Sequence, residues 1–134
     1  MHFTVNSFAR EVGKIFEDHL KPLDIAPSYA DLLMLLSERD GMLQQEIADE
    51  MNLAASTITR FIAKLEKEKL VKKRKKTGRS DVILTEKGVT KTAKIKNKYT
   101  DAVKELERVL GEKFVATTEQ LLKHGAGQLI QRGE

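Results

Sequence analysis

The sequence predicts a mostly α-helical fold with one small β-hairpin set between helices. Three observations lead there. Apolar residues recur at steps of three and four along most of the 134 residues, the spacing of helices that bury one face. Near the middle, two short helical stretches are separated by only a few residues. Directly after them the helical period stops, and two short runs flank Thr77-Gly78-Arg79-Ser80 in the manner of a hairpin.

The first helix carries Val5, Phe8, Ala9, Val12, Ile15, Phe16 and Leu20, with Pro22 just beyond it as a stop. Pro27 suits the first position of the next helix. There Tyr29 to Leu36 is apolar nearly all round, which marks a buried helix, and Gly41 fits its end. A short helix from Gln44 to Met51 stops at Asn52, a residue that tolerates the left-handed exit conformation. The next helix begins near Ala54 and turns Ile58, Phe61, Ile62 and Leu65 inward. Two short helices joined so tightly form a helix-turn-helix. Lys69 to Lys76 and Val82 to Leu84 supply the hairpin, and Thr85 is placed to cap a long helix through Leu110. Gly111 interrupts or ends that helix. Thr117 and Gln120 have capping-box spacing, which predicts the start of a last helix carrying Leu121, Leu122, Leu129 and Ile130.

Composition narrows the function classes. The length allows one core and no second independent domain. With 40% hydrophobic and 33% charged residues the chain is neither a disordered nor a membrane type. No apolar run approaches the ~20 residues of a spanning helix. The N-terminal stretch has no secretory cleavage pattern, so a cytoplasmic protein is expected. With no cysteine, thiolate metal sites and thiol redox chemistry are excluded. His2, His19 and His124 lie far apart, so no metal site is expected; His19 falls on the first helix's apolar stripe and is read as packing. No Gly-rich phosphate loop, zinc-protease motif or nucleophile elbow is present, and neither an enzyme nor a cofactor is expected.

Charge is concentrated. Residues 60–79 hold ten basic side chains and two acids, a surplus of +8 in a chain whose net charge is +4, so the remainder is −4. Such a stretch points to a polyanion-binding face. The polar face of the second short helix agrees. Ser56, Thr57, Arg60, Lys64 and Lys67 lie opposite Ile58, Ile62 and Leu65. Small hydroxyls in a first turn permit close approach to base edges, and an arginine one turn later is able to pair with guanine in the major groove. In the hairpin, Lys72 to Lys76 alternate between two strand faces, and Arg79 at the tip is placed to enter a narrow minor groove.

From Gln44-Gln45-Glu46-Ile47-Ala48, through Ser56-Thr57-Ile58-Thr59-Arg60 and Leu70-Val71, to Leu84-Thr85-Glu86-Lys87-Gly88, the chain resembles the MarR family of winged helix-turn-helix transcription regulators. The resemblance implies a winged helix-turn-helix lobe over residues 27–88 and a helical dimerisation lobe from residues 1–24 and 89–134, within a single domain 1–134. It implies the recognition helix in the major groove of duplex DNA and the wing in the minor groove. It puts Ser56, Thr57 and Arg60 at reading positions and aligns Arg79 with the family's wing-tip arginine. The candidate DNA-binding set is Gln44, Ala55, Ser56, Thr57, Thr59, Arg60, Lys64, Lys73, Arg74, Lys75, Arg79 and Ser80. Two departures stand out. Thr77 replaces the aspartate usual two residues before the wing arginine, so the carboxylate that orients that arginine is missing. Ala54 replaces the usual Ser or Thr cap, a loss of ~1 kcal/mol to the helix.

A homodimer is expected independently, because the first and last helices carry more apolar surface than so short a chain buries alone. Val5, Phe8, Val12, Phe16, Leu106, Leu110, Leu121 and Leu122 are the candidate dimerisation residues. Family members often bind small aromatic or anionic effectors between the lobes, so a small-molecule effector is a partner that the resemblance implies and the residues themselves do not show. The alternative is a winged-helix interaction module that docks an acidic protein through its lysines and reads no DNA sequence.

Overall fold

The computed structural model describes residues 1–133 and arranges them as six α-helices and one two-stranded sheet. Helix α1 (His2–Leu20) buries Leu20 and leads into a 3-10 turn, Lys21–Leu23, that contains Pro22. Pro27 opens α2 (Pro27–Ser37), where its missing N–H has no helical partner to lose. Ala30, Leu32, Leu33 and Leu36 of α2 are buried, so the all-round apolar helix is the centre of the core.

Helix α3 (Gln44–Met51) ends on Asn52 in the left-handed conformation, φ 52 and ψ 49. The Leu53 N–H then closes on the Ala48 carbonyl at 3.0 Å. This turn aims α4 (Ala55–Lys67), which begins after Ala54 with no side-chain cap, as the sequence implies. Ile58, Ile62 and Leu65 face the core and leave the opposite face of α4 exposed.

Strands β1 (Val71–Lys76) and β2 (Arg79–Leu84) pair antiparallel, from Val71 opposite Leu84 to Lys76 opposite Arg79. Thr77 and Gly78 form the two-residue turn with φ of 50 and 75, the left-handed geometry that suits the strand twist. A bridge between Met42 and Val82, with N–H···O distances of 3.2 and 2.7 Å, joins the base of the hairpin to the α2–α3 loop.

Helix α5 (Glu86–Leu110) is capped by Thr85, whose Oγ1 accepts the Gly88 N–H at 3.0 Å and donates to the Lys69 carbonyl at 2.7 Å. A Cβ at Gly88 would lie 2.0 Å from the Leu70 carbonyl oxygen, so this residue lets the helix approach the strand. Gly111, at φ 94, ends α5, and α6 (Glu112–Gln131) starts at once. Thr117 therefore lies inside α6 and caps nothing, contrary to the capping-box reading. The glycine breaks the chain several residues earlier, and a helix already under way needs no second start.

Helices α1, α5 and α6 pack side by side, and Leu20 of α1 and Ile95 of α5 join the same core as α2. Phe16 meets Tyr99 edge-on at 4.9 Å, and Phe8 meets Phe114 at 6.3 Å. His19 is half-buried, and its Nε2 also lies 2.9 Å from Glu105 Oε1 and ties α1 to α5. Among the described residues, no helix is long and apolar enough to cross a membrane.

Candidate nucleic-acid interface

Two groups of polar residues predicted from the sequence come to the surface. On α4, Ala55, Ser56, Thr59 and Arg60 are exposed and Thr57 is half-buried. Arg60 has no ion-pair partner among the described residues, whereas the Thr59 hydroxyl donates to the Ala55 carbonyl at 3.0 Å. Gln44, at the start of α3, is half-buried. The bare start of α4, uncapped by Ala54, leaves amide N–H groups open to an anion.

Lys64 stands apart from this set. Its ammonium lies 4.6 Å from the centroid of the Tyr29 ring, on the flank of α4 that meets α2. A sequence pattern assigns helix faces but not which long side chain bends onto a neighbouring ring.

The hairpin register sorts the wing. Directly paired residues share a face, so Lys73, Lys75 and Ser80 lie on the side of Val71 and Val82. Lys72, Arg74, Lys76, Arg79 and Asp81 lie on the other. The lysines are exposed and enter no ion pair among the described residues, but the two arginines are engaged. Arg74 donates to the Asp40 carboxylate at 3.1 Å, to the Asp40 carbonyl at 3.0 Å and to Asp81 at 3.4 Å. Arg79 donates from Nε to Asp81 at 2.5 Å and from Nη2 to Glu46 at 2.6 Å. The carboxylate expected to be missing through Thr77 is thus supplied from the other side of the arginine, by Asp81, and from α3, by Glu46. No local motif announces these partners, because Glu46 lies 33 residues from Arg79. The Arg79 guanidinium, hydrogen-bonded to Asp81, holds that carboxyl below the usual carboxylate range, and Arg74 adds to the effect.

A second surface is apolar. Val5, Leu110, Leu121 and Leu122 are 45%, 37%, 66% and 53% exposed, and Phe8, Val12 and Phe16 are half-buried. Leu106 is only 8% exposed, so of the candidate dimerisation residues it serves the chain's own core. Among the described residues, none in α6 is buried. Between α1, α5 and α6 lies a crevice of about 620 Å³ walled by Phe8, Phe16, Tyr99 and Phe114. Asp31, hydrogen-bonded by the Tyr99 hydroxyl, is the one charged residue in its lining, and burial raises its pKa while that bond lowers it. Burial, and then the hydrogen bond to Asp31 and its charge, raise the pKa of Tyr99. No group of His, Cys, Asp and Glu among the described residues is arranged to hold a metal ion.

The model of the MarR family matches residues 26–78, the stretch from the start of α2 to the hairpin turn. No curated protein sequence matches the chain. Among solved structures, the repressor CouR bound to a 23-mer DNA duplex is similar with a TM-score of 0.87 at 21% identity, over 94% of this chain and 92% of that one. The S. aureus MepR–DNA complex has a TM-score of 0.81 at 19% identity, over 96% of each chain. A mutant MarR from E. coli complexed with operator DNA has a TM-score of 0.83 at 20% identity, over 92% of this chain and 91% of that one. At these identities the likeness establishes a common fold.

Proposed function

We propose that this chain is a MarR-family transcription regulator, starting from a winged helix-turn-helix segment that matches that family and a fold shared with DNA-bound members over nearly the whole chain. It binds palindromic duplex DNA as a homodimer. Residues 27–88 form the DNA-binding lobe, and residues 1–24 and 89–134 carry the dimerisation helices. Binding, not catalysis, is the activity this reading assigns, and it puts the protein in the cytoplasm with its DNA.

One observation carries the reading. The outer face of α4 presents Ser56 and Arg60, and the wing presents lysines, with no ion-pair partner for Arg60 or these lysines among the described residues. Arg60 supplies the base-reading fork and Lys73 and Lys75 supply phosphate contacts. The exposed apolar face of α1 and α6 meets a second copy, which spaces two recognition helices for two half-sites. CouR has also been solved bound to p-coumaroyl-CoA, and the aromatic crevice between α1, α5 and α6 is where a small organic effector would bias the dimer.

Paired titrations test the reading, with a preferred and a scrambled duplex at fixed salt, for the wild type and Arg60→Ala. A loss confined to the preferred duplex, of ~1–3 kcal/mol, is expected from the removal of a bidentate base pair. An equal loss on both duplexes would mean that Arg60 reads no base and that charge alone holds the nucleic acid.

A further inference from the structure

The tip of the hairpin, residues 75–80, is exposed on every side and packs against no core. Among the described residues, one side-chain hydrogen bond reaches from it to the helix-turn-helix, and Arg79 donates it. Its guanidinium bridges Asp81 of β2 and Glu46 in the first turn of α3, at 2.5 and 2.6 Å. The same Glu46 oxygen, Oε1, accepts the Leu43 N–H at 2.8 Å and so caps α3. Asp81 passes the connection to Arg74, and Arg74 clasps Asp40 in the α2–α3 loop. The cluster is closely packed, since a Cβ at Gly41 would lie 2.8 Å from Arg74 Nη2 and 2.9 Å from Asp81 Cβ. Two arginines face three carboxylates, so these two cations add no net positive charge to the wing.

We infer that Arg79 is a tie that sets the angle of the wing against the helix-turn-helix through Asp81 and Glu46, and that it neutralises no phosphate. This rests on the DNA-binding reading for its consequence, since the wing then holds the phosphates by its lysines alone. Arg79 acts through the wing's position and is a positioning residue. Glu46 has two tasks, the start of α3 and the set of the wing, and so couples them.

The test uses the full chain and a random-sequence duplex of about 25 base pairs. The slope of log K against log salt and the amide hydrogen exchange of residues 75–80 are measured for the wild type and four variants. Lys75→Ala is expected to flatten the slope by about 0.9, the effect of one lost phosphate contact, and to leave exchange unchanged. Arg79→Ala is expected to keep the slope and to speed exchange at the tip by about two- to fivefold, the range an exposed ion pair supplies. Glu46→Gln keeps the acceptor for the Leu43 N–H and removes only the charge, and it is expected to speed exchange to a similar degree. The double variant Glu46→Gln/Arg79→Ala is expected to exchange no faster than Arg79→Ala alone. A slope flattened by Arg79→Ala as much as by Lys75→Ala, or strictly additive effects in the double variant, would overturn the tie. If the wild type bound no duplex, the DNA-binding reading would fail, while the exchange measurements would still decide whether Arg79 ties the wing.

Discussion

The Lys64 ammonium lies over the Tyr29 ring, 4.6 Å from its centroid, and the same ring packs on Phe61 at 4.4 Å. A cation that belongs by sequence to the basic stretch is thereby used to hold α4 against α2. Lys64→Ala should accordingly lower stability by about 0.5–1 kcal/mol, the value of an exposed cation–π contact, as read from denaturant unfolding. Its effect on the salt slope of DNA binding should be smaller than that of Lys75→Ala. An equal flattening by both variants would show that Lys64 leaves the ring for the phosphates.

The apolar face of α6 gives a separate prediction. Leu122→Glu removes little packing within the chain, because that side chain is 53% exposed, so it should yield a folded monomer in sedimentation equilibrium. Leu106→Glu, at a position only 8% exposed, should instead unfold the helical lobe, since an unpaired charge would be buried there. A Leu122→Glu protein that remained dimeric at micromolar concentration would move the interface off this face.

Acid should loosen the wing in a defined window. The Asp81 carboxyl is held below its ordinary value in the folded chain, so its contribution is complete above the unfolded value of about 4. That contribution is lost as pH falls through the lower folded-state value. Asp81→Asn should therefore destabilise the protein at neutral pH and reduce the acid sensitivity of wing exchange below about pH 4. An unchanged acid profile in the variant would place the titrating group elsewhere.

Gly88→Ala should be among the most damaging single-methyl additions, because its Cβ would lie 2.0 Å from the Leu70 carbonyl oxygen. Backbone, not a flexible side chain, stands in the way, and a cost of about 1–3 kcal/mol is expected from the forced shift. Calorimetry should read it as a clear drop in Tm. By contrast, Gly125→Ala, where nothing lies within 4 Å of the added carbon, should be neutral or stabilising within one chain.

Much of this fold could be read in the residues because the signals are local. Asn52 at the turn, Pro27 at a first helical position and Thr85 with Gly88 at the start of α5 each act within a few residues of themselves. Their chemistry therefore shows in the order of the letters. Thr117 misled for the same reason: the capping spacing is local, but Gly111 had already set the start of α6. The state of Arg74, Arg79 and Lys64 could not be read this way, because it depends on Asp40, Glu46 and Tyr29 brought up from distant positions. Counting charges along the chain does not include these distant partners.

Selection of duplexes from a random pool by the wild-type protein tests the central claim most directly. The account predicts enrichment of a palindrome whose half-site centres lie one helical turn apart, about 10 base pairs, because two copies joined through α1 and α6 present two Arg60 side chains related by a two-fold axis. Recovery of the pool without any enriched sequence, while the protein still retained DNA at low salt, would contradict it and leave a basic surface that binds polyanions without reading them.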